Sequence, residues 1–135
     1  MGDKGKKPDI EQKSVTRYCT ARVVNHWGKE ITNVKLTHKS GTNLDAGQWD
    51  SIPIDERGPT MRIVFQTGGI IPPPHDYWHI EFRVEPDKFH CKTNFYCNLT
   101  SDDADKIIDC IVKVGVQTLT VSTYSSSCEV SLSKN

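Results

Sequence analysis

The stretch YWHIEFRV, Tyr77–Val84, decides the fold class. Trp78, Ile80, Phe82 and Val84 fall on one side of an extended chain, and Tyr77, His79, Glu81 and Arg83 fall on the other. Successive side chains of a strand point to opposite faces, whereas helical winding would scatter these four apolar residues around a cylinder. The stretch is therefore expected to be a half-buried antiparallel strand, with Trp78 in the core.

The same period of two extends in both directions. Upstream, MRIVFQT sets Met61, Ile63 and Phe65 against Arg62, Val64 and Gln66, which predicts a strand over about residues 60–67. RYCTARVV and EITNVKLTH read as two further strands joined by a hairpin turn, NHWGK, whose Gly28 suits a positive φ. Downstream, EPDK reads as a turn and FHCKTNFYC as the returning strand. Thr100 with Asp103 three residues on fits a capping box, so a short helical turn is expected near 101–105. IIDCIVKV, QTLTVSTY and CEVSLS, rich in Val, Ile and Thr, complete the set. The expected architecture is all-β: a single-domain, mainly antiparallel β-sandwich over residues 14–135, preceded by a charged tail over 1–13.

Composition excludes some functions. The 135 residues carry 17 basic and 17 acidic side chains. A polyanion needs a cationic surface, so nucleic acid is not an expected partner. No apolar run is long enough to span a bilayer as a helix, and the first residues have no signal-like apolar segment. A cytoplasmic location is expected, or a secreted one if the chain is a mature form. The five cysteines are irregularly spaced with no C-x-x-C pair, and they read chiefly as small buried hydrophobes. If a disulfide forms, Cys91 and Cys97 are poor partners along one extended strand. Six residues span about 20 Å, against the roughly 6 Å that bridging needs. Asn98-Leu99-Thr100 is a glycosylation triplet if the chain is secreted.

Little in the sequence supports catalysis, a cofactor or a metal. The nucleophile-elbow, zincin and P-loop patterns are absent. His90 and Cys91 are neighbours on a strand and point to opposite faces. His75 and His79 lie roughly 13 Å apart at about 3.3 Å per residue, too far to share an ion. The acidic SDDAD segment lacks calcium-loop spacing and reads as a solvated helix start. A binding protein without enzymatic activity is expected, and an enzyme using Cys91 or Cys128 as nucleophile is the catalytic alternative.

Candidate binding residues come from the loops. TGGIIPPPHD, residues 67–76, combines two glycines with three consecutive prolines, which lock φ and cannot join a ladder. It reads as a rigid crossover, or as a preformed ligand wall carrying Ile70, Ile71, His75 and Tyr77. Trp27 in the NHWGK turn and Trp49 in the polar connection DAGQWDSIP are the other candidates. A loop-tip tryptophan stacks on a sugar or peptide, enters a membrane interface, or closes the end of a sandwich as a lid. The expected function is recognition of a lipid headgroup, glycan or protein surface through loops at one end. A secreted, disulfide-stabilised effector, defence or taste-type protein read by a receptor is the alternative.

In order, VVNHWGKEITNVKLTHKSG, QWDSIPIDERGPTMRIVFQTGG and DYWHIEF resemble the "Up-regulated in Daf" domain. Asn25, His38, Lys39, Trp49, Thr67, Gly68, Asp76, Tyr77 and Trp78 take the pattern positions, over roughly Val15 to Val84. Tyr77 stands where tryptophan is more usual. The resemblance implies a small β-sandwich with no established catalytic residues. A looser likeness to the fungal aegerolysins, lipid-recognising β-sandwich proteins, rests on strand layout and loop tryptophans alone.

Overall fold

The computed structural model describes residues 14–69 and 72–135. These form nine strands and one 3₁₀ turn: β1 (Val15–His26), β2 (Ile31–Ser40), β3 (Asn43–Ile52), β4 (Met61–Thr67), β5 (Asp76–Val84), β6 (Asp87–Cys91), the 3₁₀ turn Ser101–Asp103, β7 (Ile107–Lys113), β8 (Thr118–Ser122) and β9 (Ser127–Lys134). The fold is all-β, as the alternation predicts. The two layers belong to one continuous sheet, ordered β3-β2-β5-β6-β9-β8-β7-β1-β4, which curls into a nearly closed barrel. Every named pairing is antiparallel except β1 with β7. At the seam between β3 and β4, Asp45 Oδ2 accepts the Val64 N–H at 3.0 Å, and Asn43 Nδ2 donates to the Val64 carbonyl at 3.2 Å.

β5 follows its predicted alternation: Trp78, Ile80, Phe82 and Val84 are buried, and the residues between them half-buried. In β2 the inward set changes parity, from Ile31 to Val34, Leu36 and His38. A bulge between Thr32 and Lys35 accounts for the change, with Asn33 at φ +48°. Asparagine tolerates that left-handed geometry better than most residues.

Three expectations need correction. NHWGK is not a hairpin turn: β1 pairs with β4 and β7, and β2 with β3 and β5. The segment instead carries the chain across one end of the barrel, with Gly28 at φ +91°. Second, the connection containing Trp49 is a strand, β3. Its glycine and aspartates obscure it, because both are depleted in strands. Gly47 is there for a packing reason: a Cβ would lie 2.7 Å from the Trp49 ring and 2.6 Å from Met61 Sδ. Third, FHCKTNFYC is interrupted. β6 ends at Cys91 and residues 92–94 loop out. The chain then rejoins β5, where Trp78 N–H donates to the Phe95 carbonyl at 3.0 Å and Cys97 N–H to the Asp76 carbonyl at 2.9 Å.

The capping box is present on Thr100 and Asp103. Asp103 is fully buried rather than solvated, and accepts from Tyr124 N–H at 2.7 Å and from Ser125 Oγ at 2.9 Å. It ties the 3₁₀ turn to the β8–β9 turn.

Cys97 forms a disulfide with Cys128 across 31 residues, and no Cys91–Cys97 link occurs. It joins the rejoined segment to β9. Cross-linking a loop of that length restricts the unfolded chain by about 3–4 kcal/mol. Cys97→Ser is thus expected to lower unfolding free energy by about that amount in urea titrations. A loss under 1 kcal/mol would mean that this segment is held by its hydrogen bonds alone.

Candidate functional site

The register of β2, β3 and β5 assembles the most open apolar surface near the proline loop. Leu44 pairs with Lys39, Lys39 with Tyr77, and Tyr77 bridges to Tyr96, so these four form one row across four chain segments. All four project outward, because their neighbours Asp45, His38, Trp78 and Cys97 point inward. Leu44 is 65 % exposed and Tyr96 50 %. His75 stacks on Tyr96 at 4.1 Å between ring centroids, and Tyr77 meets both rings edge-on at 5.9 and 6.2 Å. A groove of about 330 Å³ runs beside the row, lined by Thr37, Lys39, Leu44, Tyr77, Thr93 and Asn94. The looped-out residues 92–94 supply its far wall.

Beneath the row lies a polar core. His38 is fully buried, with Nδ1 3.0 Å from Asp45 Oδ2 and Nε2 2.7 Å from Asp76 Oδ1. Each ring nitrogen faces a carboxylate, so the imidazole bridges β3 and β5 through hydrogen bonds at both ends. Asp76 Oδ2 also accepts the Leu99 N–H at 2.8 Å, and the Trp78 ring lies 4.7 Å from the imidazole. This cluster fixes β2, β3, β5 and the 97–99 segment to one another, and so holds the row above it in register.

The structure divides the candidate residues from sequence. His75 is exposed and Tyr77 half-buried, and both belong to the groove surface. Pro72, Pro73 and Pro74 are exposed at the same end, with Pro74 against Gly41 of the β2–β3 turn. Ile70 and Ile71 lie outside the described residues. Trp27 and Trp49 are corrected: neither is a free loop tip. Trp27 is 4 % exposed at the opposite end of the barrel, its ring 4.7 Å from Phe89 and 5.1 Å from Phe82. It serves as the lid, because the NHWGK crossing turns it inward and its backbone N–H donates to Asn25 Oδ1 at 2.8 Å. Trp49 is 9 % exposed and donates from Nε1 to the Pro59 carbonyl at 3.1 Å.

Sequence reasoning missed Leu44, Lys39 as a surface group, and Tyr96. Leu44 breaks an apparent loop segment with an apolar side chain, and Tyr96 lies in a segment read as a strand, but only strand pairing shows that they are neighbours.

The free cysteines offer poor nucleophiles. Cys19, Cys91 and Cys110 are buried. Burial, helped by nearby carboxylates, pushes the Cys19 thiol up to about 12. Burial also raises Cys91 and Cys110. Cys128 is held in the disulfide. A nucleophilic thiolate needs a depressed value and access to solvent. No cluster of three or more His, Cys, Asp or Glu among the described residues is placed to hold a metal ion. No helix among them is long and apolar enough to cross a membrane. No protein-family model and no characterised protein matches the chain at a significant level.

Proposed function

We propose that the protein is a non-catalytic recognition module that binds a glycan along the Leu44–Lys39–Tyr77–Tyr96 row. The observation that carries this reading is the groove itself: exposed aromatic and aliphatic side chains on rigid strands, beside short polar ones. An aromatic face packs against the apolar face of a sugar ring, and Lys39, Thr37 and Asn94 are in place to hydrogen-bond its hydroxyls. The groove is shallow and open, which suits part of an extended ligand better than an enclosed small molecule. With Trp27 and Trp49 buried, the open aromatics of the row are Tyr77 and Tyr96, and the Thr37, Lys39 and Asn94 groups beside them suit a sugar's hydroxyls better than a lipid interface. Lying on strands braced by the His38 cluster, the row binds with little ordering cost.

A glycan array probed with the purified chain tests this. Tyr77→Ala is expected to weaken the best-bound glycan at least about tenfold, about 1.4 kcal/mol, with the melting temperature little changed. An array with no binder, or equal binding by parent and variant, rejects the row as the site.

The disulfide supports a second reading, a secreted effector-type protein whose surface is read by a receptor, since disulfides persist in oxidising compartments. The two readings are compatible in one molecule.

A further inference from the structure

Asn98-Leu99-Thr100 is the one Asn-x-Ser/Thr triplet in the chain. The segment around it alternates in burial: Phe95, Cys97 and Leu99 are buried, while Tyr96, Asn98 and Thr100 are exposed. Tyr96 and Asn98 therefore project to the same side of an extended chain, about 7 Å apart along it. Tyr96 keeps half its surface open, and its ring is held in place by the His75 stack. The neighbouring Cys97 is oxidised in the disulfide, the chemistry of the compartments in which such triplets are modified.

The Asn98 side chain is held in a way that leaves modification open. Its Oδ1 accepts the Asp76 N–H at 3.0 Å, and its Nδ2 lies 3.1 Å from His75 Nδ1. An amide nitrogen carries two protons, and the His75 contact uses one. Replacing the other with a sugar leaves the carbonyl oxygen, and its hydrogen bond to Asp76, intact.

We propose that Asn98 is an N-glycosylation site, and that the first sugar of its glycan rests against the Tyr96 ring. In the transfer, Nδ2 attacks the anomeric carbon of an oligosaccharide carried on a polyisoprenyl pyrophosphate. The N–C bond forms as the bond from carbon to pyrophosphate oxygen breaks. The pyrophosphate departs with the electron pair, and the nitrogen gives up one proton to the transferase. Tyr96 is the outer end of the row, so a glycan seated there takes Tyr96 out of the ligand surface and leaves Tyr77, Lys39 and Leu44 as its open part. The proposal stands independently of what the groove binds.

The test secretes the full chain behind a cleavable leader from a eukaryotic host. Intact mass is measured before and after an amidase that releases N-glycans. The parent and Thr100→Ser, which keeps both the triplet and the capping hydroxyl, are expected to carry a releasable glycan at Asn98. Asn98→Gln carries none. Release is expected to lower the parent's melting temperature by about 3 °C, and Tyr96→Ala to abolish that shift. If Asn98→Gln fails to fold, oxidised parent protein refolded from bacteria gives the glycan-free reference. A secreted, disulfide-bonded parent with unmodified Asn98 overturns the site. An equal shift on release in parent and Tyr96→Ala overturns the seat on Tyr96.

Discussion

Phe82→Asp is expected to abolish cooperative folding, while Glu81→Ala, one residue away, changes the melting temperature hardly at all. Phe82 is 1 % exposed and stacks on Phe89 at 5.5 Å, with the Trp27 edge at 5.1 Å. Deleting a buried aromatic ring costs about 3–5 kcal/mol, and an unpaired buried carboxylate adds several more. Together these approach the whole stability of an ordinary domain, about 5–15 kcal/mol. Trp27 would also lose one of its two ring contacts, loosening the lid at that end of the barrel. The Glu81 side chain is 46 % exposed, and its contact with His79 is long, at 4.0 Å. Its removal should fall within about 0.5 kcal/mol. Thermal melts followed by circular dichroism compare the two. Similar shifts would falsify the inward and outward assignment along β5.

The second large effect concerns the polar core. His38→Leu is expected to cost about 3–5 kcal/mol, because it removes the hydrogen-bonding partner of buried carboxylates on both sides. Here two carboxylates are stranded. Asp76 is 1 % exposed, and its remaining partner through Oδ2 is the Leu99 N–H. Asp45 keeps Val64 N–H and Asn43 Nδ2, so it is the better compensated of the two. Lys39→Ala, on the opposite face of the same strand, is the control and should stay within about 0.5 kcal/mol. Urea titrations of both variants give the comparison. A loss below 1 kcal/mol in His38→Leu would show that the imidazole fills space without holding the strands together.

Asn25, His38, Thr67, Asp76 and Trp78 have mainly structural roles in this fold. Asn25 donates from Nδ2 to the carbonyls of Lys29, Ile52 and Pro53 at 2.8–3.0 Å, fixing the crossing segment. His38, Asp76 and Trp78 form the polar core, and Thr67 accepts from Arg17 Nε at 2.8 Å. Lys39, Tyr77 and Trp78 line the groove as well. Residues of this kind hold a scaffold together, and a scaffold by itself names no ligand.

What the sequence determined by itself was the β class, the inward face of β5, the turn at Pro86 and the cap on Thr100. Each is written in residues close together in the chain: a period of two, a turn dipeptide, a hydroxyl three residues from a carboxylate. Only the tertiary structure decided which strands pair, and hence nearly everything about the candidate site. The turn-like residues of NHWGK are the same whether the next strand folds back or crosses the barrel, yet that choice buries Trp27. Gly47 and two aspartates disguise β3, because the reason for the glycine is the Trp49 ring packed over it in space. Leu44, Lys39, Tyr77 and Tyr96 are dispersed over more than fifty residues of sequence. They become one surface because backbone hydrogen bonding sets strands about 4.8 Å apart, a distance that no local pattern of side chains records.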